Sequence, residues 1–190
     1  MRTKISILSI LICFVFFSCK ETKTEKVKSE STTIVKEHKG QSAVVDNDSA
    51  PNALQVAMSL DDFKTLVVAV KAAGVEDALV NAGPLTVFAP VNSAFDKLPE
   101  GTVSNLLKPE NKSQLGFILK NHVAPANYPV KTLEKNVRKN RKLYMASGKY
   151  LEVTKVGDDL FVGGTKILKS VKVSNGWVHV IGDILVPSDK

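Results

Sequence analysis

From residue 60 onward the chain is written in two hydrophobic periods, one after the other. Phe63, Leu66, Val67 and Val70 fall at i, i+3, i+4 and i+7, the spacing of one buried helical stripe. Ser59 stands where it can cap that helix, with Asp62 three residues on as a capping-box partner. Gly74 closes it as a C′ glycine does. A short second helix over residues 76–80 stops before Gly83-Pro84. Residues 85–89 are a brief apolar run rich in β-formers. After Pro90, Asn92 or Ser93 can cap a short helix carrying Phe95 and Leu98, and Thr102 can cap another that ends at Leu107. Pro109 suits the first position of the next helix. There Leu115, Ile118, Leu119 and His122 repeat the stripe. Gly116 inside it costs about 1 kcal/mol relative to Ala, which points to a close packing contact.

At Arg141 the period changes to alternation. Residues 143–145, 150–156, 160–162, 166–173 and 177–185 read as strands. Gly157-Asp158-Asp159 and Asn175-Gly176 are the turns between them, and Asn-Gly predicts a type I′ hairpin. Helices come first and strands follow, which favours an α+β domain over a βαβ repeat.

The first 50 residues do not belong to this pattern. Arg2 and Lys4 precede an apolar run over residues 5–17, too short for a spanning helix of roughly 20 apolar residues. It matches the apolar core of a secretory signal. The run ends at Phe16-Phe17-Ser18-Cys19-Lys20, and a small residue directly before cysteine resembles the lipobox of bacterial lipoproteins. That resemblance implies a signal peptide over residues 1–18, lipidation of Cys19, and an exported protein anchored to the cell envelope. The anchor would be in the outer membrane, on its periplasmic or its surface face. Phe17 departs from the small or hydroxyl residue usual there. Residues 19–50 then read as a disordered tether. From Lys20 onward they hold six Lys, six acids and no aromatic residue, too little apolar surface to offset the entropy of ordering. A random coil of that length reaches about 30 Å. The domain proper is residues 51–190. It contains no cysteine, since Cys13 and Cys19 both lie before it.

Three segments of the domain resemble one family. Gly83-Pro84-Leu85-Thr86-Val87-Phe88-Ala89-Pro90-Val91-Asn92-Ser93-Ala94-Phe95 is similar to the first signature of fasciclin domains. Asn175-Gly176-Trp177-Val178-His179-Val180-Ile181-Gly182-Asp183-Ile184-Leu185-Val186-Pro187 resembles the second. Asn121-His122-Val123-Ala124-Pro125 resembles the central Tyr-His segment, with Asn121 in place of the Tyr. The resemblance implies a wedge of two β-sheets with helices packed alongside, a role in adhesion or partner binding, and no catalysis. In animal members, integrin and matrix contacts are tied to segments around the Tyr-His region. Asn121 and His122 are therefore candidate partner-contact positions.

Motif chemistry adds little. The chain has no G-x-S-x-G, G-x-G-x-x-G, P-loop, H-E-x-x-H or C-x-x-C, and nothing calls for a cofactor or a metal. His122 and His179 sit in apolar settings and read as hydrogen-bonded core residues. A hydrolase would need Ser or Thr beside one of them with an acid behind.

Charge adds more. The formal net charge is +7, and Arg2 and Lys4 leave with the signal peptide. The remaining excess falls within residues 131–142: Lys131, Lys135, Arg138, Lys139, Arg141 and Lys142 against Glu134. No aromatic residues interleave with these cations as stacking platforms, and nucleic acid is not expected as a partner. The segment reads as a solvated loop or helix face, or as a contact for an anionic envelope component. Expected partners are envelope or extracellular proteins or anionic glycans, with the membrane reached through the lipid on Cys19. The alternative is a periplasmic protein that binds a small molecule or lipid, which requires a sizeable apolar pocket between sheets and helices.

Overall fold

A computed structural model describes residues 50–80 and 83–187. The predicted signal peptide, Cys19 and nearly all of the tether lie outside those residues. The first element, α1 (Ala53–Ser59), was not anticipated. It starts at a complete capping box in which the Asn52 side chain accepts from Gln55 and the Gln55 side chain accepts from the Asn52 amide. α2 (Lys64–Ala73) follows a 3₁₀ turn and ends at Gly74, whose φ of 66° is left-handed. Ser59 does not cap it: Ser59 is the last residue of α1 and donates to Val56 O. The amide of Thr65 is met instead by Asn92 Oδ1. Asn92, expected to cap its own helix, spends its side chain on the start of α2, while Val91 stands at the N-cap of α4 (Asn92–Asp96). Between them lie α3 (Glu76–Val80) and β1 (Leu85–Pro90). Gly101, at φ 79°, takes the cap position expected for Thr102 at α5 (Thr102–Leu106). After a 3₁₀ turn led by Pro109 come α6 (Lys112–Lys120) and β2 (Val123–Ala124).

The basic segment over residues 131–142, read from sequence as a solvated loop or helix face or an anion contact, begins as a helix, α7 (Val130–Arg138). The strands follow: β3 (Leu143–Tyr144), β4 (Tyr150–Leu151), β5 (Val153–Val156), β6 (Asp159–Val162), β7 (Thr165–Val173) and β8 (Gly176–Ile181). The single strand expected over residues 150–156 is two, because β4 pairs back on β3 while β5 pairs forward on β6. Six strands run in the order β2-β1-β8-β7-β6-β5, and β3-β4 form a separate pair. β7 belongs to both halves of the six-stranded run, pairing with β6 at its start and with β8 along the rest, with a register irregularity between Ile167 and Lys169. Two sheets thus meet along one strand, with helices packed beside them. This is the α+β arrangement that the resemblance implied.

β1 lies at the centre, parallel to β8 and antiparallel to β2, and is buried on both faces. Its alternation divides the core. Val87 and Ala89 join Leu66, Val70, Leu115 and Leu119 on the helical side. Phe88 joins Leu133, Leu143, Met145, Val162 and Ile181 on the other, beneath α7 and the β3-β4 hairpin. Helix α7 is therefore the lid of the second core.

The β7–β8 hairpin turns one residue earlier than its Asn-Gly pair predicts. Val173 pairs with Gly176, so the loop is Ser174-Asn175, and neither residue has the positive φ a type I′ turn requires. Asn175 is there for its side chain. Its Oδ1 accepts from Ala53 N and its Nδ2 donates to Leu79 O, joining α1, α3 and the hairpin. Gly176 is there for space, since a Cβ at this position would overlap the carbonyl oxygen of Leu85 on β1.

Candidate functional site

The basic segment is the most charged surface of the domain. α7 forms because Leu133 and Asn136 are buried beneath it, while Lys131, Lys135 and Arg138, at i, i+4 and i+7, make one exposed stripe. Lys135 and Arg138 lie in the last turn, where the helix dipole favours positive charge. The helix ends in a Schellman turn. Asn140 sits at φ 53°, its amide donates to Val137 O, and the Arg141 amide donates to Asn136 O. This turn brings Lys139, Arg141 and Lys142 out beside the end of the stripe. Lys142 pairs with Glu152 at 2.9 Å. Glu134 pairs with Lys155 at 2.9 Å, and the hydrogen bond and charge of Lys155, with Arg138 behind, hold its carboxyl below the usual range. Among the described residues, Lys131, Lys135, Arg138, Lys139 and Arg141 have no carboxylate within 4.0 Å.

Two exposed aromatic residues stand in the β3-β4 pair that follows the basic segment. Tyr144 and Tyr150 face each other across β3 and β4, ring centroids 5.3 Å apart, and are 47% and 64% exposed. Lys142, two residues before Tyr144, is on the same outward side of the hairpin, and its partner Glu152 follows Tyr150 by two. The signal for this was in the alternation: Leu143 and Met145 point into the core, which turns Tyr144 outward.

Asn121 and His122 are placed quite differently. Both are buried, at 0% and 3% exposure. They grip the backbone of Leu185, in the segment that follows β8. Asn121 Nδ2 donates to Leu185 O at 2.9 Å, and the Leu185 amide donates to His122 Nε2 at 2.9 Å. Ser147 Oγ donates to Asn121 Oδ1, and His122 Nδ1–H donates to Ile118 O. The His122 tautomer is thereby fixed. Burial holds its pKa down to about 4, partly opposed by the bond to Ile118. Residues 182–185, predicted to extend the last strand, are not part of it. The side chains of Asn121 and His122, in the turn after α6, take the place of a neighbouring strand, and Lys97 adds bonds to Gly182 O and Asp183.

His179 lies between Phe88 and Trp177, with ring centroids at 5.4 and 6.3 Å. Its Nε2–H donates to Tyr128 O, so Nδ1 accepts from Ser170 Oγ at 2.7 Å. A serine therefore does meet a histidine, but a backbone carbonyl stands behind the ring where a triad has an acid. Burial lowers the His179 pKa as well. Among the described residues, every buried side-chain nitrogen and oxygen has a hydrogen-bond partner, and no three His, Cys, Asp or Glu are grouped to hold a metal ion.

A cavity of about 330 Å³ opens between α4, α5, α6 and the segment after β8. Leu106, Leu107, Leu115, Ile118, Ile184 and Val186 are among its walls, and His122 lies at its edge.

Comparison with known proteins agrees with this geometry. A family model described as "Fasciclin domain" matches residues 61–187. Protein sll1483 of Synechocystis sp. is 41% identical over 150 residues, covering 77% of this chain and 81% of that protein. Transforming growth factor-beta-induced protein ig-h3 of Sus scrofa is 33% identical over 138 residues, which is 72% of this chain and 19% of that one. Immunogenic protein MPB70 of Mycobacterium bovis is 36% identical over 109 residues, covering 57% of this chain and 52% of that one. Among solved structures, a FAS1 domain pair from the insect cell adhesion molecule Fasciclin I matches with a TM-score of 0.65 at 19% identity. The match covers 72% of this chain and 51% of that one, and it shows the shared fold. The chain belongs to the fasciclin-domain family.

Proposed function

We propose that this protein is a non-enzymatic binding module, held at the cell envelope by a lipid on Cys19 and a tether over residues 19–50, that meets an acidic glycan through α7 and the turn after it. The observation that carries this reading is the set of five exposed cations, on one helix and its Schellman turn, that have no carboxylate within 4.0 Å among the described residues. The exposed tyrosine pair extends the same region with amphipathic rings on which a sugar face can rest. The relatives support a binding role, since one structural neighbour is named as a cell adhesion molecule. Engagement of both ring nitrogens of His122 and of His179 leaves neither histidine free for acid–base work.

The test is affinity electrophoresis of the whole chain, carrying Cys19→Ser, in gels containing alginate or neutral dextran. The parent protein is retarded by alginate and not by dextran. Replacing Lys135, Arg138, Lys139 and Arg141 with Gln, and sparing the paired Lys142, abolishes the retardation. So does raising salt from 0.1 to 1 M, as the screening length falls from about 10 Å to about 3 Å. Equal retardation of parent and variant overturns the reading.

A further inference from the structure

We propose that the cavity between α4, α5, α6 and residues 182–187 is a binding site for an aliphatic chain of about ten carbons ending in a neutral polar group. It is a second site, independent of the basic surface. Its walls decide the ligand class. Leu98, Val103, Leu106, Leu107, Ile118 and Ile184 are branched aliphatic side chains, and Phe95 is the one carbon ring among the lining residues. A flat aromatic ligand would find few rings to stack on, whereas a flexible chain fits aliphatic walls. At about 330 Å³ the space holds on the order of ten methylene-sized groups, taking about 30 Å³ for one water molecule as the guide. That is within the range of small-molecule sites, roughly 300–1,000 Å³.

The mouth decides the headgroup. Asn105, Gln114 and Val186 are the exposed members of the lining, so the opening lies among them. Two side-chain amides there can both donate to and accept from a hydroxyl or ester. Among the described lining residues none is Asp, Glu, Lys or Arg, and His122 is neutral, being buried with its Nε2 accepting from the Leu185 amide. A carboxylate would therefore enter without a counter-charge, and a neutral head is preferred.

One wall is held in place by the residues of the central signature. Ile184 and Val186 face the cavity while Leu185 between them points into the second core, and it is Leu185 whose amide and carbonyl are held by His122 and Asn121. Asn121 and His122 are thus positioning residues for this site, and they do not touch its ligand through a free polar atom.

The site is tested with 1-decanol and decanoate on the whole chain carrying Cys19→Ser, so that no detergent competes. Titration calorimetry gives saturable binding of decanol, and decanoate binds about tenfold more weakly or worse. Val103→Phe and Ile118→Phe each place a ring in the cavity from a half-buried position, and each lowers decanol affinity about tenfold or more without lowering the melting temperature. Two variants are used so that one poorly folded protein does not decide the matter. The four-fold Gln variant of the basic surface binds decanol like the parent, which keeps this result separate from the alginate result. No saturable binding of decanol by the parent overturns the proposal, as does undiminished binding by both Phe variants. Decanoate binding as tight as decanol overturns the neutral headgroup.

Discussion

At the residue scale, the histidine that the sequence marks most clearly is fixed by partners the sequence places far away. The i, i+3, i+4, i+7 stripe predicts His122 as buried, and it is, but it stands in the turn after α6, which ends at Lys120. Its Nε2 partner is the amide of Leu185, 63 positions downstream, and no local period can point that far. The same holds for Asn175, whose neighbour Gly176 suggested a turn conformation while its own side chain ties α1 to α3. The arrangement of His122 gives a pH dependence with a definite sign. Its pKa is about 4 in the fold, below the ordinary value of 6.5. Above pH 6.5 both folded and unfolded forms are neutral and the full stability is present. As pH falls below 6.5 the unfolded chain takes up a proton that the fold resists, so stability is lost until about pH 4, by roughly 3 kcal/mol for the whole shift. Burial lowers the His179 pKa too, so that residue acts in the same direction. His122→Gln removes the first contribution and leaves the second. Urea unfolding at pH 7.5, 5.5 and 4.5 should show the parent's advantage over this variant shrinking by about 2–3 kcal/mol toward the acid end. A difference that stays constant with pH would show that His122 does not titrate as its burial demands.

At the element scale, the pieces that announce themselves are those whose signals are local. α2 carries its own stripe and its own C′ glycine, and β1 its own apolar run. The helix caps fail because the capping groups come from elsewhere: Asn92 serves Thr65 across 27 residues, and Gly101 replaces Thr102. α7 is faint because only Val130, Leu133 and Val137 mark its apolar side amid three cations and Glu134. Burial over the second core, more than any local propensity, makes it a helix. The register of the β7–β8 hairpin is set by the third strand that Gly176 meets. Gly176→Ala must displace Leu85 of β1 or open the parallel β1–β8 pairing, besides adopting a φ of 146° that alanine resists. Gly164→Ala supplies the control, because Gly164 also has a positive φ, 83°, but open space around it. Denaturant melting should put the Gly164 variant about 1–2 kcal/mol below the parent and the Gly176 variant at least about 2 kcal/mol further down. Equal losses would mean that backbone conformation alone, and not the close approach to β1, requires glycine at 176.

At the scale of the whole molecule, both cores are built from residues 53–185, and the chemistry that would anchor the protein lies before residue 20. The family was legible because its signatures fall on the paired strands β1 and β8 and on the turn from α6 into β2, each of which holds buried residues. The cavity was not legible. Its walls come from α4, α5, α6 and residues 184–186, and each of those stretches read alone is an ordinary amphipathic or apolar segment. The division of labour between anchor and domain makes a paired prediction. Residues 51–190 expressed alone should unfold in one cooperative transition with the same midpoint in the presence and absence of reductant, because no cysteine remains to form a disulfide. In the full chain, Cys19→Ser should move the protein from the membrane fraction to the soluble exported fraction without altering that midpoint. A single acyl chain gives only marginal membrane binding, so firm retention of the parent in membranes also requires more than one chain on the cysteine. If residues 51–190 fail to fold, the first 50 residues are part of the domain. If the Cys19→Ser protein still sediments with membranes, the anchor is not the lipid, and the basic face of α7 becomes the next surface to neutralise.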